Sequence, residues 1–200
     1  RYPEDRVFAE EDGLRSPISE GAVWVIDPID GTNNFVTQKE DFAVMVAYFE
    51  DGIGQFGLIY DVMRDHLFYG GGEFPVYRND VELTPFVDQP LENFLIASNV
   101  GMLEKNDWGM ADLGMDSLGI RVYGSAGISF SKILSGGILA YFSYIWPWDY
   151  AAAAIMGERL GYTVLNLNGD QPNYQTVEPI MMVPKMKLTE IQTYLKKGRS

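Results

Sequence analysis

Residues 24–35 read WVIDPIDGTNNF, and this stretch decides how the rest of the chain is interpreted. An apolar strand ends at Asp27, and the proline that follows forces a non-helical turn that brings Asp30 beside it. Two carboxylates at that distance repel each other unless protons or cations neutralise them, and hard divalent ions prefer oxygen ligands. Gly31 and Thr32 then open a short helical turn whose N–H groups can hold a phosphate. The stretch predicts a metal and phosphate site, and the alternative is an Asp-Pro turn with a helix cap.

Two further acidic elements support the metal interpretation. Residues 10–12, Glu-Glu-Asp, lie just upstream of the strand, where such a cluster by itself is typical of a solvated loop. Asp149 precedes an alanine-rich helix predicted over residues 150–160, where by itself it is typical of an N-cap, with Gly161 after the helix. Three acidic elements around one phosphate-binding turn form a coherent metal cage.

Other motifs have simpler structural interpretations. Residues 52–57, GIGQFG, match the spacing of a dinucleotide-binding loop, but strand-like segments on both sides favour a hairpin. His66 is predicted to be a solvent-facing strand residue. Ser125 lacks the spacing of a nucleophile elbow and is predicted to cap a helix that begins at Ala126, which leaves free N–H groups for an anion.

Composition excludes several classes of protein. The chain has 200 residues, 46% of them apolar, so intrinsic disorder of the whole chain is excluded. A net charge of −13 argues against binding to nucleic acid or to an anionic membrane. With no cysteine there is no disulfide or thiolate nucleophile, which fits a reducing compartment such as the cytoplasm. The sequence shows neither a signal peptide pattern after Arg1 nor an apolar stretch long enough to cross a bilayer.

The pattern along the chain predicts two packed subdomains. Residues 1–115 are expected to form a mainly antiparallel α+β subdomain that carries the metal site, with strands at 24–26, 42–49, 55–61, 66–69 and 94–97. Residues 116–200 alternate short strands with helices and are expected to form a smaller α/β subdomain. Ligands are expected in the cleft between the two.

Taken together, these residues resemble the inositol monophosphatase family of magnesium-dependent, lithium-sensitive phosphatases. The first family motif reads WVIDPIDGTNNFVT over residues 24–37, and the second survives as WDYAAAAI over residues 148–155. Glu10 and Glu11 resemble the upstream acidic pair of the family, and residues 124–126 resemble its substrate-contacting loop. The resemblance implies a layered αβαβα sandwich in which helices precede Arg1, and it implies a homodimer.

The resemblance also implies the composition of the site. Two or three Mg²⁺ ions would be held by four carboxylates and one backbone carbonyl, those of Glu10, Asp27, Asp30, Asp149 and Ile29. A small phosphorylated substrate would be bound by residues of the same site and of the loop, namely Asp30, Gly31, Thr32, Gly124, Ser125, Ala126 and Asp149. Li⁺ is the expected inhibitor.

In the expected mechanism, Glu10 and Thr32 position and help deprotonate the attacking water, and Asp27 with Asp30 and Asp149 holds an ion that stabilises the leaving group. The alternative is a metal-binding or regulatory homologue that has lost turnover. A glycosidase is disfavoured, because Asp27 and Asp30 are too close in sequence for its pair of separated carboxylates.

One departure from the family affects the choice of substrate. In residues 140–145, where family members carry a Glu that contacts inositol hydroxyls, this sequence offers Phe142. Phe142 and Tyr144 therefore predict an aromatic leaving group, such as the nucleotide part of NADP in a 2′-phosphate ester.

Overall fold

The computed structural model describes residues 3–11 and 16–197, which form two β-sheets with helices between and beside them. The first sheet has seven strands in sequence order; β1 is parallel to β2, and all the other neighbours are antiparallel. Its strands are β1 (Arg6–Ala9), β2 (Ala22–Asp30), β3 (Ala43–Glu50), β4 (Ile53–Asp61), β5 (His66–Gly71), β6 (Phe74–Arg78) and β7 (Val81–Glu82). Of the acidic run 10–12, Asp12 lies outside the described residues.

Turn chemistry explains this meander. Asp51 and Gly52 join β3 to β4 with positive φ angles of 49° and 81°, the conformation that tight hairpins require. The glycines of residues 52–57 therefore belong to a hairpin and its second strand, as predicted, and not to a nucleotide-binding loop. His66 begins β5 and is half-buried beside its strand partner Asp61.

The second sheet has five strands in the order β11-β12-β10-β8-β9. They are β8 (Leu95–Ser98), β9 (Gly119–Arg121), β10 (Ala140–Ile145), β11 (Tyr162–Asn166) and β12 (Glu178–Pro184). β8 is parallel to β9 and β10, and β12 is antiparallel to both of its neighbours. The prediction that residues 94–97 belong to the antiparallel half is therefore wrong. A short apolar run indicates a strand, but it does not indicate which sheet that strand joins.

The described part of the chain also contains six α-helices: α1 (Thr32–Thr37), α2 (Val100–Glu104), α3 (Met110–Asp116), α4 (Ala126–Leu134), α5 (Pro147–Arg159) and α6 (Leu188–Lys197). α4 and α5 lie between the sheets, and their buried residues join the inner faces of both sheets in one core. α2, α3 and α6 cover the far face of the second sheet around a second core. The described layers therefore run β, α, β, α, which are four of the five in the expected αβαβα sandwich.

None of the helices that the structure describes is long and apolar enough to cross a membrane. The C-terminal end of β2 lies beside the N-termini of α4 and α5, the two helices between the sheets. The residues expected to bind metal and phosphate lie at this junction.

Candidate active site

Three carboxylates converge where β2 ends and α5 begins. Asp27 and Asp30 close β2, Asp149 lies in the first turn of α5, and one carboxylate oxygen from each lies within 4.8 Å of the others. In a regular strand, residues three apart point to opposite faces. The register of β2 against β3 shifts between Asp27 and Asp30, and this irregularity turns both carboxylates toward the same side.

Asp30 is held by the beginning of α4. The Ser125 hydroxyl donates to Oδ2 of Asp30, the Ala126 N–H donates to Oδ1 at 3.1 Å, and the Gly127 N–H donates to Oδ2 at 2.8 Å. The two N–H groups belong to the first turn of α4, where backbone donors have no partner within the helix and where the helix dipole favours negative charge. Ser125 also accepts from the Ile128 N–H at 3.1 Å, which is the predicted N-cap bond. The predicted substrate loop thus fixes Asp30, with Ser125 and Ala126 buried and Gly124 exposed.

Asp27 and Asp149 are each oriented by one backbone N–H. The Ile29 N–H donates to Oδ1 of Asp27 at 3.0 Å, and the Trp146 N–H donates to Oδ2 of Asp149 at 2.7 Å. Asp27 is 1% exposed. Glu10 follows β1, and its backbone N–H continues the pairing with β2 at Ile26. Its carboxyl lies near enough to Asp27 and Asp30 for both to affect its pKa, so a fourth acidic side chain borders the cluster.

The cluster is electrostatically unfavourable by itself. Burial, then Asp30, Asp149 and Glu10, raises the pKa of Asp27 to about 9. Burial, followed by the charge of Asp30, raises the pKa of Asp149 to about 7. Burial also raises the pKa of Asp30, although the donors of Ser125, Gly127 and Ala126 oppose that rise. Concentrated acidic groups of this kind bind protons or cations.

The donor set fits hard divalent cations. No Lys or Arg side chain forms an ion pair with Asp27, Asp30 or Asp149 within residues 3–11 and 16–197. Carboxylate oxygens from two chain segments, β2 and α5, therefore lie together without an ion-pair partner among the described residues. Mg²⁺ and Ca²⁺ prefer such oxygen ligands.

The predicted phosphate turn lies against the loop before α4. Gly31 has φ of +84°, and a Cβ at this position would lie 2.9 Å from the Cβ of Ser125. Only glycine fits both the backbone and this contact. Thr32 begins α1, is exposed, and donates its hydroxyl to the Ile29 carbonyl at 3.1 Å. The structure thus brings together Gly31, Thr32 and Ile29, the last of these being the predicted carbonyl ligand.

Sequence reasoning missed Asn34. It is buried, and its Nδ2 donates to the carbonyls of Asp41 at 2.9 Å and Tyr123 at 2.7 Å. These bonds tie α1 to the loop that leads to Ser125. The available signal was an Asn inside a helix, which is unfavourable unless its side chain has partners.

The structure contradicts the predicted role of Phe142 in stacking. The strand alternation of β10 places Phe142 in the second core, where it is 0% exposed, on the side of α2, α3 and α6. It therefore cannot contact a leaving group. Tyr144 is exposed at its ring, and its hydroxyl donates to Asp107 at 2.7 Å.

The sequence model of the inositol monophosphatase family matches residues 1–197. The chain belongs to this family. Among curated relatives, the inositol-1-monophosphatase of Bacillus subtilis (strain 168) is 36% identical over 175 residues, which are 84% of this chain and 66% of that protein. The chain spans about two thirds of the length of the curated relatives it matches.

Solved structures of family members share the fold. A structure of 2′-AMP-bound SaIMPase-II superposes with a TM-score of 0.91 at 33% identity, covering 98% of this chain and 78% of that one. An IMPase/NADP phosphatase complexed with Mg²⁺ and phosphate gives a TM-score of 0.88 at 25% identity, covering 96% and 74%. The layered fold and the family expected from the motifs are both confirmed.

Proposed function

We propose that this chain is a Mg²⁺-dependent hydrolase of phosphate monoesters. The observation that carries the proposal is the buried cluster of Asp27, Asp30 and Asp149, which lies beside the turn at Gly31 and Thr32. Membership of a phosphatase family supports it, as does a structural relative with bound Mg²⁺ and phosphate.

The acidic residues would hold the ions. Asp27, Asp30 and Asp149, with Glu10 and the carbonyl of Ile29, supply oxygen ligands only, which suits two or three Mg²⁺ ions. Such ions, when bound, neutralise the charge that develops on phosphate oxygens and on the leaving group.

Glu10 and Thr32 would position the attacking water. Glu10 is the most exposed of the four carboxyls, so solvent reaches it, and burial together with Glu11 raises its pKa. A carboxyl with a raised pKa is a better proton acceptor than a free one. The water oxygen would form a bond to phosphorus while its proton passes toward Glu10. The ester P–O bond would break, and the departing oxygen would keep the electron pair and take up a proton from solvent.

The proposed substrate is a small phosphate monoester, either a sugar or inositol phosphate or a nucleotide 2′- or 3′-phosphate. The structural relatives named with 2′-AMP and NADP support the nucleotide class. The loop at Gly124, Ser125 and Ala126 borders the site and would contact the part of the substrate beyond the phosphate. A homodimer, a cytoplasmic location and inhibition by Li⁺ belong to the same proposal.

The test is phosphate release from inositol phosphates, NADP, fructose bisphosphate and 3′-phosphoadenosine nucleotides, with Mg²⁺ and with a chelator. Release that requires Mg²⁺ establishes the phosphatase, and the preferred ester names its subclass. Silence across the panel while Mg²⁺ still binds would contradict the proposal and favour the non-catalytic homologue.

A further inference from the structure

The loop that joins α1 to β3 has a strained backbone. Lys39 and Asp41 have φ angles of 60° and 51°, in the left-handed region that residues with a side chain rarely adopt. Such a conformation persists only where surrounding contacts hold it, and it occurs often at functional sites. The contacts of this loop therefore indicate what it supports.

The backbone of Asp41 packs against the turn at Gly31 and Thr32. A Cβ at Gly31 would lie 3.2 Å from the carbonyl oxygen of Asp41, so the two segments are in close contact. The same carbonyl accepts from Nδ2 of Asn34 in α1 at 2.9 Å. A displacement of Asp41 would disturb both contacts, and with them the position of Thr32 at the start of α1.

The side chain of Asp41 is held by Arg64, which follows β4. Nη2 of Arg64 donates to Oδ1 of Asp41 at 2.8 Å, and Nη1 donates to Oδ2 of Asp61 at 3.1 Å. Asp61 is 1% exposed and is the last residue of β4. In the sheet it pairs with Ala43, which in turn pairs with Asp30. One guanidinium thus connects the strained loop to the strand ends that carry a proposed metal ligand.

The planar guanidinium suits this bridging position. Its N–H donors form a rigid fork, so one side chain can hold two carboxylates in a set geometry, which a lysine ammonium does less well. The side chains of Asp41 and Arg64 are 28% and 39% exposed, and ion pairs with this exposure contribute little to overall stability. The stability of the whole chain therefore does not account for the pair, and its effect is local to the loop.

We propose that Arg64 is a positioning residue of the active site, which acts through Asp41 to hold the turn at Gly31 and Thr32 in place. The inference rests on the proposed phosphatase function, in which Thr32 helps to position the attacking water. Arg64 would contact neither the substrate nor the ions. Loss of the link would lower turnover and leave the Mg²⁺ dependence unchanged, because the bonds that orient the acidic cluster come from other segments.

The experiment compares Asp41→Asn with Asp65→Asn in the full chain, with glycerol 2-phosphate as the ester and Mg²⁺ present. Asparagine tolerates the left-handed region, so both substitutions remove a charge without adding backbone strain. Asp65 is the matched control, because it has φ of 52° and its carboxylate accepts from the Tyr60 hydroxyl at 2.8 Å.

We expect kcat to fall about fivefold in Asp41→Asn, which is the most that an exposed ion pair contributes to an equilibrium. The Mg²⁺ dependence and the Tm should change little, and Asp65→Asn should keep the kcat of the parent chain. Equal kcat in the two variants would overturn the proposal. A weaker Mg²⁺ dependence that by itself explains the loss would overturn it as well.

A second background assigns the effect to Arg64. The double variant Arg64→Met with Asp61→Asn lacks the bridge and leaves no buried carboxylate without a partner at this position. Adding Asp41→Asn to this background should lower kcat no further. A further fivefold loss there would show that Asp41 acts without Arg64, which contradicts the proposal.

Amide hydrogen exchange separates this inference from the proposed function, because it requires neither ions nor turnover. The Phe35 N–H donates to the Gly31 carbonyl at 3.0 Å, so its exchange reports on the turn. We expect this amide to exchange about fivefold faster in Asp41→Asn than in the parent chain and in Asp65→Asn, even if no ester is hydrolysed. Equal protection in the three proteins would contradict the positioning role even if hydrolysis is active.

Discussion

The hydroxyl of Ser125 donates to the carboxylate of Asp30, although 95 residues separate the two in sequence. This bond joins the end of β2 to the beginning of α4, and so it ties the first sheet to the helix layer at the site itself. Metal sites depend on such supporting bonds, because they fix the direction in which a ligand points.

Removing this hydroxyl should weaken metal binding without unfolding the chain. We expect Ser125→Ala to lower the apparent Mg²⁺ affinity by about tenfold. Asp30 keeps its two backbone N–H donors and loses the hydroxyl donor. The measurement is the Mg²⁺ dependence of phosphate release. Ser135→Ala is the control, because Ser135 caps the other end of α4 and its hydroxyl donates to the Ser131 carbonyl at 2.8 Å, away from the acidic cluster. Equal Mg²⁺ dependence in all three proteins would remove Ser125 from the site.

Neutralising Asp27 should stabilise the protein when divalent ions are absent. Its pKa is raised to about 9 in the folded chain, so folding favours the protonated form. Stability from this proton is present at low pH and is lost as pH rises toward 9. We therefore expect Asp27→Asn to be more stable than the parent chain in a chelator, with a difference that grows between pH 5 and pH 9.

Thermal unfolding at several pH values measures this difference. Adding Mg²⁺ should raise the Tm of the parent chain more than that of Asp27→Asn, because bound ions replace the proton. A difference in Tm that shrinks as pH rises would contradict the assignment of raised pKa to Asp27.

Alanine substitutions at two glycines with positive φ distinguish the cost of backbone strain from the cost of a steric clash at the phosphate turn. Gly31 and Gly136 have φ of +84° and +73°, but only at Gly31 would a Cβ meet other atoms within 4 Å. We expect Gly136→Ala to cost about 1 kcal/mol in the free energy of unfolding, from strain alone. Gly31→Ala should cost more and should also reduce phosphate release. Urea unfolding and the assay check both, and equal effects of the two substitutions would contradict the close approach to Ser125.

Thr32 should affect turnover more than stability, because its side chain is exposed. We expect Thr32→Ala to lower kcat by about tenfold or more, whereas Thr32→Ser retains the hydroxyl and most of the rate. Thr37→Ala in the same helix is the control, since the Thr37 hydroxyl donates to the Asn33 carbonyl of its own helix at 2.7 Å. A Thr32→Ala variant as active as Thr37→Ala would exclude the hydroxyl from the reaction.

The parts of the fold encoded locally could be predicted from the sequence. The helix from Ala126 to Leu134 begins where it was predicted to begin, because Ser125 caps it and its apolar residues recur at the helical period. The convergence of Asp27 and Asp30 followed from the proline between them. The family motif placed Asp149 and Glu10 in the same cluster, which local pattern alone does not do.

Features that depend on pairing between distant segments could not be predicted. The assignment of β8 to the second sheet depends on its partners β9 and β10, and the inward direction of Phe142 depends on the register of β10 in that sheet. A one-residue change in register would turn Phe142 to the other face. The hydrogen bond from Ser125 to Asp30 could not be predicted either, because the local sequence around an N-cap serine does not show which distant residue its hydroxyl contacts.

The most direct test of the central claim is the rate of phosphate release as a function of Mg²⁺ concentration in the parent chain and in Asp149→Asn. Asp112→Asn, an exposed carboxylate of α3, is the matched control. We expect a Mg²⁺-dependent rate in the parent chain and in the control, and a loss of at least about a hundredfold in Asp149→Asn with its fold retained. Turnover in Asp149→Asn equal to that of the control, or a rate in the parent chain that is indifferent to Mg²⁺, would contradict the claim that the acidic cluster drives ester hydrolysis through bound metal ions.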